Sequence, residues 1–159
     1  MKKRPSCNSK NGFTLVELLV VMAIIGILAA VLLSNFVGIR ERAADTSYKN
    51  DMRQLKTALR IYYNDFQRYP DSSGGVIQGC TDGTAACAGS FSANGTSYMN
   101  ELPVGVGYYS DGGEGFLLTV PLTNASDADI VASQTRCDVA NRSYYTAVVT
   151  DLDYFVCED

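Results

Sequence analysis

The sequence predicts an α+β fold in which one long N-terminal α-helix packs on a small antiparallel β-sheet. An apolar run at residues 13–33 leads into helical periodicity that continues to residue 69. The rest of the chain alternates short apolar runs with glycine-rich turns, a pattern typical of β-hairpins. At 159 residues, the chain has the size of one domain with an attached segment.

The composition argues against an enzyme. The chain contains no histidine, which is the usual acid or base at neutral pH, the partner of serine and cysteine nucleophiles, and the commonest zinc ligand. A nucleophile motif and a P-loop are also missing from the sequence. We therefore expect a protein without catalytic activity.

Charge is distributed unevenly along the chain. Residues 34–68 carry seven basic and four acidic side chains, whereas residues 69–159 carry two basic and twelve acidic ones. Because a C-terminal part with this excess of acidic side chains repels polyphosphates, we expect no nucleic-acid partner.

The apolar run at residues 13–33 has the length of a membrane-spanning helix, because 21 helical residues extend over about 30 Å. Residues 1–12 precede it with four basic side chains and no acidic one. The positive-inside rule then places the N-terminus in the cytoplasm and the residues after Ser34 beyond the membrane. A cleaved secretory signal and a buried core helix are the weaker alternatives, since a signal's apolar region usually spans about 7 to 15 residues.

Glu17 is the one charge in this run. A carboxylate within hydrocarbon costs on the order of 2 to 3 kcal/mol, which points to a functional role and a cationic partner. The sequence offers no cationic side chain nearby. Cleavage before Phe13 would create an α-amine four residues from Glu17, mostly protonated at neutral pH.

The segment Gly12–Val21, GFTLVELLVV after a short basic leader, closely resembles the cleavage and methylation site of type IV pilins and type II secretion pseudopilins. The resemblance implies the pilin fold, cleavage after Gly12 by a prepilin peptidase, and N-methylation of Phe13. It further implies that Glu17 neutralises the amine of a neighbouring subunit as a homo-oligomeric filament assembles. An assembly platform, an ATPase and other pilins or pseudopilins are the implied partners.

The resemblance extends to Arg68-Tyr69-Pro70, which is similar to the helix end of major pseudopilins. One departure is Ser34-Asn35, where many family members have a proline. The predicted organisation is therefore a cleaved leader at 1–12, a transmembrane and filament-core helix at 13–33, an amphipathic helix at 34–69 and a globular head at 70–159.

The amphipathic helix is predicted from an apolar stripe and from the proline that follows it. Its basic side chains are expected to face solvent or neighbouring subunits, and Pro70 ends it, because the residue before a proline disfavours helical geometry. The stripe consists of residues at intervals of three and four, namely Tyr48, Met52, Leu55, Leu59, Tyr62 and Phe66.

The head is predicted to begin with a long loop, Asp71–Gly95, that has little core of its own. Val106–Tyr109 and Phe116–Val120 flank a glycine-rich turn and predict a hairpin. Ser143–Thr150 and Tyr154–Cys157 predict a second pair of strands.

Four cysteines remain if Cys7 is removed with the leader, and an even number beyond the membrane predicts two disulfides. Of three possible connectivities we prefer Cys80 to Cys87, a small staple in the glycine-rich loop, and Cys137 to Cys157. The latter resembles the disulfide-bounded C-terminal loop of many pilins. A zinc site is the weaker alternative, because no pair has CxxC spacing.

No cofactor is predicted, with calcium as the alternative that the resemblance to major pseudopilins implies. Candidate ligands are Asp111 with Glu114, or Asp127 with Asp129, although the EF-hand pattern is absent.

Two roles remain open within the family. The helix end favours a secretion pseudopilin acting in the periplasm, whereas the four cysteines favour a pilus subunit at the cell surface. Outside these roles stand a minor pilin or adhesin-like binding module that uses the loop at 71–95, and a plain membrane-anchored extracytoplasmic domain.

Overall fold

The computed structural model describes residues 12–33, 36–80, 85–145 and 147–158. The leader up to Asn11, including Cys7, and the Ser34-Asn35 position lie outside these ranges. The chain forms two compact units, Met1–Arg40 and Glu41–Asp159.

The N-terminal unit contains helix α1, Leu15–Leu33. Every side chain described in this helix is exposed. Residues Leu15–Leu32, with a mean hydropathy of 2.9, are long and apolar enough to cross a membrane by length and composition. Helix α2, Phe36–Phe66, begins in this unit and passes into the next.

The strands described in the C-terminal unit are β1 Ser72–Ser73, β2 Val76–Cys80, β3 Ala85–Ala86, β4 Phe91–Ala93, β5 Thr96–Met99, β6 Gly107–Ser110, β7 Phe116–Pro121 and β8 Asp153–Cys157. They form three small antiparallel sheets, in the strand orders β1-β2-β3, β4-β5 and β6-β7-β8. Helix α3, Ala128–Arg136, lies between β7 and β8 in the sequence.

The apolar stripe of α2 forms one side of the core in the C-terminal unit. Met52, Leu55 and Leu59 are almost completely buried and share one cluster with Phe91 and Leu118. Strands alone would leave one face of each sheet in water, and the helix covers that face. The predicted α+β class, a long apolar helix followed by small antiparallel sheets, is confirmed.

The hairpin at Asp111–Gly115 is also confirmed. Strands β6 and β7 pair antiparallel, with Gly107 opposite Thr119 and Ser110 opposite Phe116. A Cβ on Gly107 would lie 2.8 Å from the Thr119 methyl group, so the close strand approach requires glycine there.

The prediction of a long loop with little core of its own at Asp71–Gly95 is wrong. This segment contains β1, β2, β3 and β4, and it buries Ile77 and Phe91. The strands are only two to five residues long, too short for a clear alternating pattern, and glycines between them hide the apolar positions that reach the core.

The prediction of a strand at Ser143–Thr150 is also wrong, because none of the residues described in this segment is in a strand. The partner of β8 is β7, with Leu118 opposite Val156. Tyr144 and Tyr145 instead pack on a small cluster around Phe155. Aromatic residues are typical of strands, but Tyr144 and Tyr145 lie in a loop.

Helix α2 ends earlier than predicted, at Phe66 and not next to Pro70. Gln67 adopts a left-handed conformation with φ of 55°, and its N–H donates to the Tyr63 carbonyl at 2.8 Å. A left-handed residue after the last turn is a common helix terminator, so termination occurs before the proline takes effect.

Candidate functional site

The predicted cleavage site lies just ahead of α1. Gly12, Phe13 and Thr14 precede the first helical residue, Leu15, and are exposed. A Cβ on Gly12 would meet nothing within 4 Å. The described residues therefore give no steric reason for a glycine at this position. A need for glycine would come from a partner that binds here.

Thr14 and Glu17 form a capping box at the start of α1. The Glu17 Oε2 atom accepts from the Thr14 N–H at 3.2 Å and from the Thr14 hydroxyl at 3.1 Å. In return, the Glu17 N–H donates to Thr14 Oγ1 at 3.3 Å. The motif T-x-x-E satisfies amide groups that a helix N-terminus otherwise leaves without partners.

The capping box gives Glu17 a partner that the sequence analysis missed, although the spacing of Thr14 and Glu17 is a readable signal. A carboxylate in the first turn also interacts favourably with the helix dipole. The box holds Glu17 about one helical turn from Phe13, the residue that the predicted cleavage would leave at the N-terminus.

The surface of α1 is apolar on all sides, with large side chains such as Leu15, Met22 and Ile27 exposed. A helix that is hydrophobic all round requires an apolar environment on every side. A lipid bilayer supplies it, and so does a bundle of such helices from other copies.

The candidate calcium ligands Asp127 and Asp129 do come together, but around a lysine. Lys49 Nζ lies 2.6 Å from Asp127 Oδ2 and 2.8 Å from Asp129 Oδ2. The ammonium group also faces the Tyr154 ring, 5.4 Å from its centroid. Asp127 in addition caps α3 by accepting from the Asp129 N–H.

The other candidate pair, Asp111 and Glu114, lies in the turn between β6 and β7, where the Glu114 N–H donates to the Asp111 carbonyl. Both residues are exposed. Within the described ranges, no cluster of three or more acidic, histidine or cysteine side chains could hold a metal ion.

The Lys49 cluster makes stability depend on pH. Burial lowers the pKa of Lys49, but the hydrogen bonds to Asp127 and Asp129 outweigh it, so the net pKa is raised. The hydrogen bond from Lys49 lowers the pKa of Asp127. The lowered pKa of Asp127 stabilises the fold above about pH 4, and this contribution is lost as the pH falls further. The raised pKa of Lys49 stabilises the fold below about pH 10, and this contribution is lost at higher pH.

We expect Lys49→Met to lower the melting temperature of the detergent-solubilised protein at pH 7, because two carboxylates are then left facing each other. The difference from the wild type should shrink at pH 3, because Asp127 of the variant lacks the lysine that lowers its pKa and is protonated there. Thermal unfolding at both pH values measures the effect. A difference of equal size at pH 3 and pH 7 would contradict this electrostatic account.

Asp45 is a buried acidic residue that sequence reasoning did not single out. Its side chain is 2% exposed, and its two oxygens accept from the Thr123 N–H at 2.8 Å and the Asn124 N–H at 2.9 Å. A carboxylate of α2 thus holds the loop between β7 and α3. No local signal reveals this contact, since its partners are 78 and 79 residues away.

The four cysteines of the head lie in two pairs. The Cα atoms of Cys80 and Cys87 are 5.1 Å apart, those of Cys137 and Cys157 are 5.7 Å apart, and each pair is bonded. The first pair joins β2 to the segment after β3, and the second joins the end of α3 to β8. Covalent links of this kind stabilise by about 2 to 4 kcal/mol each.

Comparison with known proteins adds to this geometry. The family model for the prokaryotic N-terminal methylation motif matches residues 7–33. The type IV major pilin protein PilA of Myxococcus xanthus is 42% identical over 65 residues, which cover 40% of this chain and 30% of the relative.

The type II secretion system core protein G of Klebsiella michiganensis is 38% identical over 68 residues, 43% of this chain and 48% of the relative. The type IV wide pilus major component PilA4 of Thermus thermophilus is 48% identical over 59 residues, 35% and 45% of the two chains. The chain thus spans less than half the length of these relatives, and no solved structure matches it significantly.

These comparisons confirm the resemblance drawn from the GFTLVE segment. Over about two fifths of its length, this chain is similar to type IV pilins and to type II secretion pseudopilins, and its residues 7–33 match the prokaryotic N-terminal methylation motif.

Proposed function

We propose that this protein is a structural subunit of a filament of the type IV class, a pilus or a secretion pseudopilus. The observation that carries the proposal is helix α1, apolar on all sides, exposed and capped by Thr14 and Glu17 directly after the Gly12-Phe13 bond. Every side chain described in this helix is exposed, and the matched relatives are pilins and pseudopilins.

The protein first resides in the cytoplasmic membrane through residues 13–33. The basic leader holds the N-terminus in the cytoplasm, and the head lies beyond the membrane. A prepilin peptidase cleaves after Gly12, and Phe13 becomes N-methylated. The protein is in this sense the substrate of two reactions and not an enzyme.

Assembly moves α1 from lipid into a bundle formed by the same helix of other subunits. Both surroundings are apolar, so the transfer changes the hydrophobic free energy little. Glu17 biases the balance towards the filament, because its carboxylate pairs there with the amine of a neighbouring subunit's Phe13. An ATPase and an assembly platform supply the remaining work.

At Asp127 and Asp129, the ammonium group of Lys49 occupies the space between the carboxylates where a calcium ion would bind, and the cluster keeps one net negative charge. This arrangement is a hydrogen-bonded cluster of one cation and two anions, closed by protein atoms alone. The disulfides at Cys80–Cys87 and Cys137–Cys157 suit the oxidising side of the membrane.

Fractionation of the native host tests the proposal. Mechanical shearing or osmotic release should recover the protein in filaments, and deletion of the prepilin peptidase should leave all of it in the membrane fraction. Long surface fibres would identify a pilus subunit, and short periplasmic ones a pseudopilin. Membrane retention in both strains would contradict the filament role and favour a plain anchored domain.

A further inference from the structure

One side of α2 carries a row of cations. Intervals of 11, 3 and 4 residues place Arg42, Arg53, Lys56 and Arg60 within about 60° of one another around the helix. Arg136 of α3 joins them, since Arg53, Lys56 and Arg136 line one groove of about 240 Å³ together with residues of β8. These five residues are called the basic flank.

From residue 51 onwards, carboxylates occupy another side of the same helix. Asp51 of α2 and Glu101 line a groove of about 380 Å³, and no lysine or arginine lies among the described residues that line it. Asp65, four turns further along α2, is exposed and accepts from the Tyr98 hydroxyl at 2.8 Å. Asp51, Asp65 and Glu101 are called the acidic flank.

The two flanks cannot meet within one subunit. Asp51 and Arg53 are about 160° apart around α2, with the buried core between the flanks on one side. When two complementary surfaces on different sides of a molecule bind each other in neighbouring copies, the contact is head-to-tail, and its repetition gives an open helical assembly where the rotation does not close a ring. A two-fold dimer would instead place like charges together.

We propose that the basic flank of one subunit docks on the acidic flank of the next copy of this chain. This inference rests on the proposed filament function and assigns the contact between heads, which is separate from the bundle of α1 helices. Opposite charges on facing surfaces fix the register of neighbours and disfavour wrong pairings.

Charge reversal with rescue tests the contact in the full-length protein expressed in its native host. Arg53 and Glu101 are exposed, and Arg53 makes one hydrogen bond of 3.3 Å to Asn50, so reversing either charge leaves the fold intact. The variants are Arg53→Glu, Glu101→Arg and the double variant. Asp111→Arg, in the β6–β7 turn and on neither flank, is the matched control.

Each single reversal should lower the amount of protein in the sheared filament fraction at least about tenfold, equivalent to about 1.4 kcal/mol. The double variant should recover to within about threefold of the wild type, and the control should match it. Unchanged disulfides on a non-reducing gel show that the heads are folded. Single reversals with wild-type yields, or a double variant no better than either single one, would overturn the proposed contact.

The failure of this inference is distinguishable from failure of the filament function. Wild-type filaments that tolerate both reversals overturn the contact between flanks and leave the filament role intact. A wild-type protein that never enters filaments overturns the filament role, and the contact with it.

Discussion

Replacement of Glu17 by glutamine should reduce incorporation into filaments at least about 100-fold while leaving membrane insertion intact. Loss of one partner of a buried charge pair costs about 2 to 5 kcal/mol, and 2.7 kcal/mol corresponds to a factor of about 100. Insertion should if anything improve, because a neutral amide costs less than a carboxylate in hydrocarbon. Immunoblots of membrane and filament fractions measure both quantities.

Glutamine is the informative substitution because Glu17 also caps its own helix. A glutamine at this position of a capping box still bonds to the Thr14 N–H, so Glu17→Gln removes the charge and keeps the cap. Thr14→Val does the opposite and removes the hydroxyl that Glu17 contacts. Normal filaments from Glu17→Gln, together with failed assembly of Thr14→Val, would show that capping and not charge is what assembly requires.

Replacement of Asp45 by alanine should lower the free energy of unfolding of the head by about 3 kcal/mol, or roughly 10 °C in melting temperature. The substitution removes a buried carboxylate and leaves the partly buried N–H groups of Thr123 and Asn124 without their acceptors. Thermal unfolding of the detergent-solubilised protein under non-reducing conditions, followed by near-ultraviolet circular dichroism of the tyrosines, measures the change.

Asp51→Ala is the matched control, because Asp51 is on the same helix but is not fully buried. Its substitution should alter the free energy of unfolding by less than about 0.5 kcal/mol. Equal effects of the two substitutions would refute the role of Asp45 as a buried link between α2 and the loop before α3.

The parts of the fold that the sequence predicts well are those governed by local spacing. The apolar run of α1 needs only its length, and the stripe of α2 repeats every three to four residues from Tyr48 to Phe66. The β6–β7 hairpin is marked by glycines between two apolar runs. In each case, the residues that form the sequence pattern are within a few helical turns, or within one hairpin, of the residues whose structure it predicts.

The missed features depend on contacts between distant residues. Strands β1 to β4 are too short to show a period, and their burial depends on α2 and on the Cys80–Cys87 link. Lys49 and Asp127 are 78 residues apart, so two acids that resemble metal ligands in sequence become ion-pair partners in space. Helix α3 is the exception, because Asp127 is an ordinary N-cap residue and its signal was readable.

The candidate site divides in the same way. The GFTLVE segment identifies Gly12, Phe13 and Glu17 as residues of interest without any structure. The structure adds the hydrogen bonds between Thr14 and Glu17, which hold the Glu17 carboxylate at the start of α1. The opposed flanks of α2 require three dimensions, since Glu101 joins Asp51 only through folding.

The intact mass of the protein from isolated filaments, measured without reduction, is the most direct test of the filament-subunit account. The account predicts a chain that begins at Phe13, heavier by one methyl group and lighter by two hydrogens for each of two disulfides. A mass that retains residues 1–12, in cells with an active prepilin peptidase, would contradict it, because Glu17 would then have no neighbouring amine to pair with.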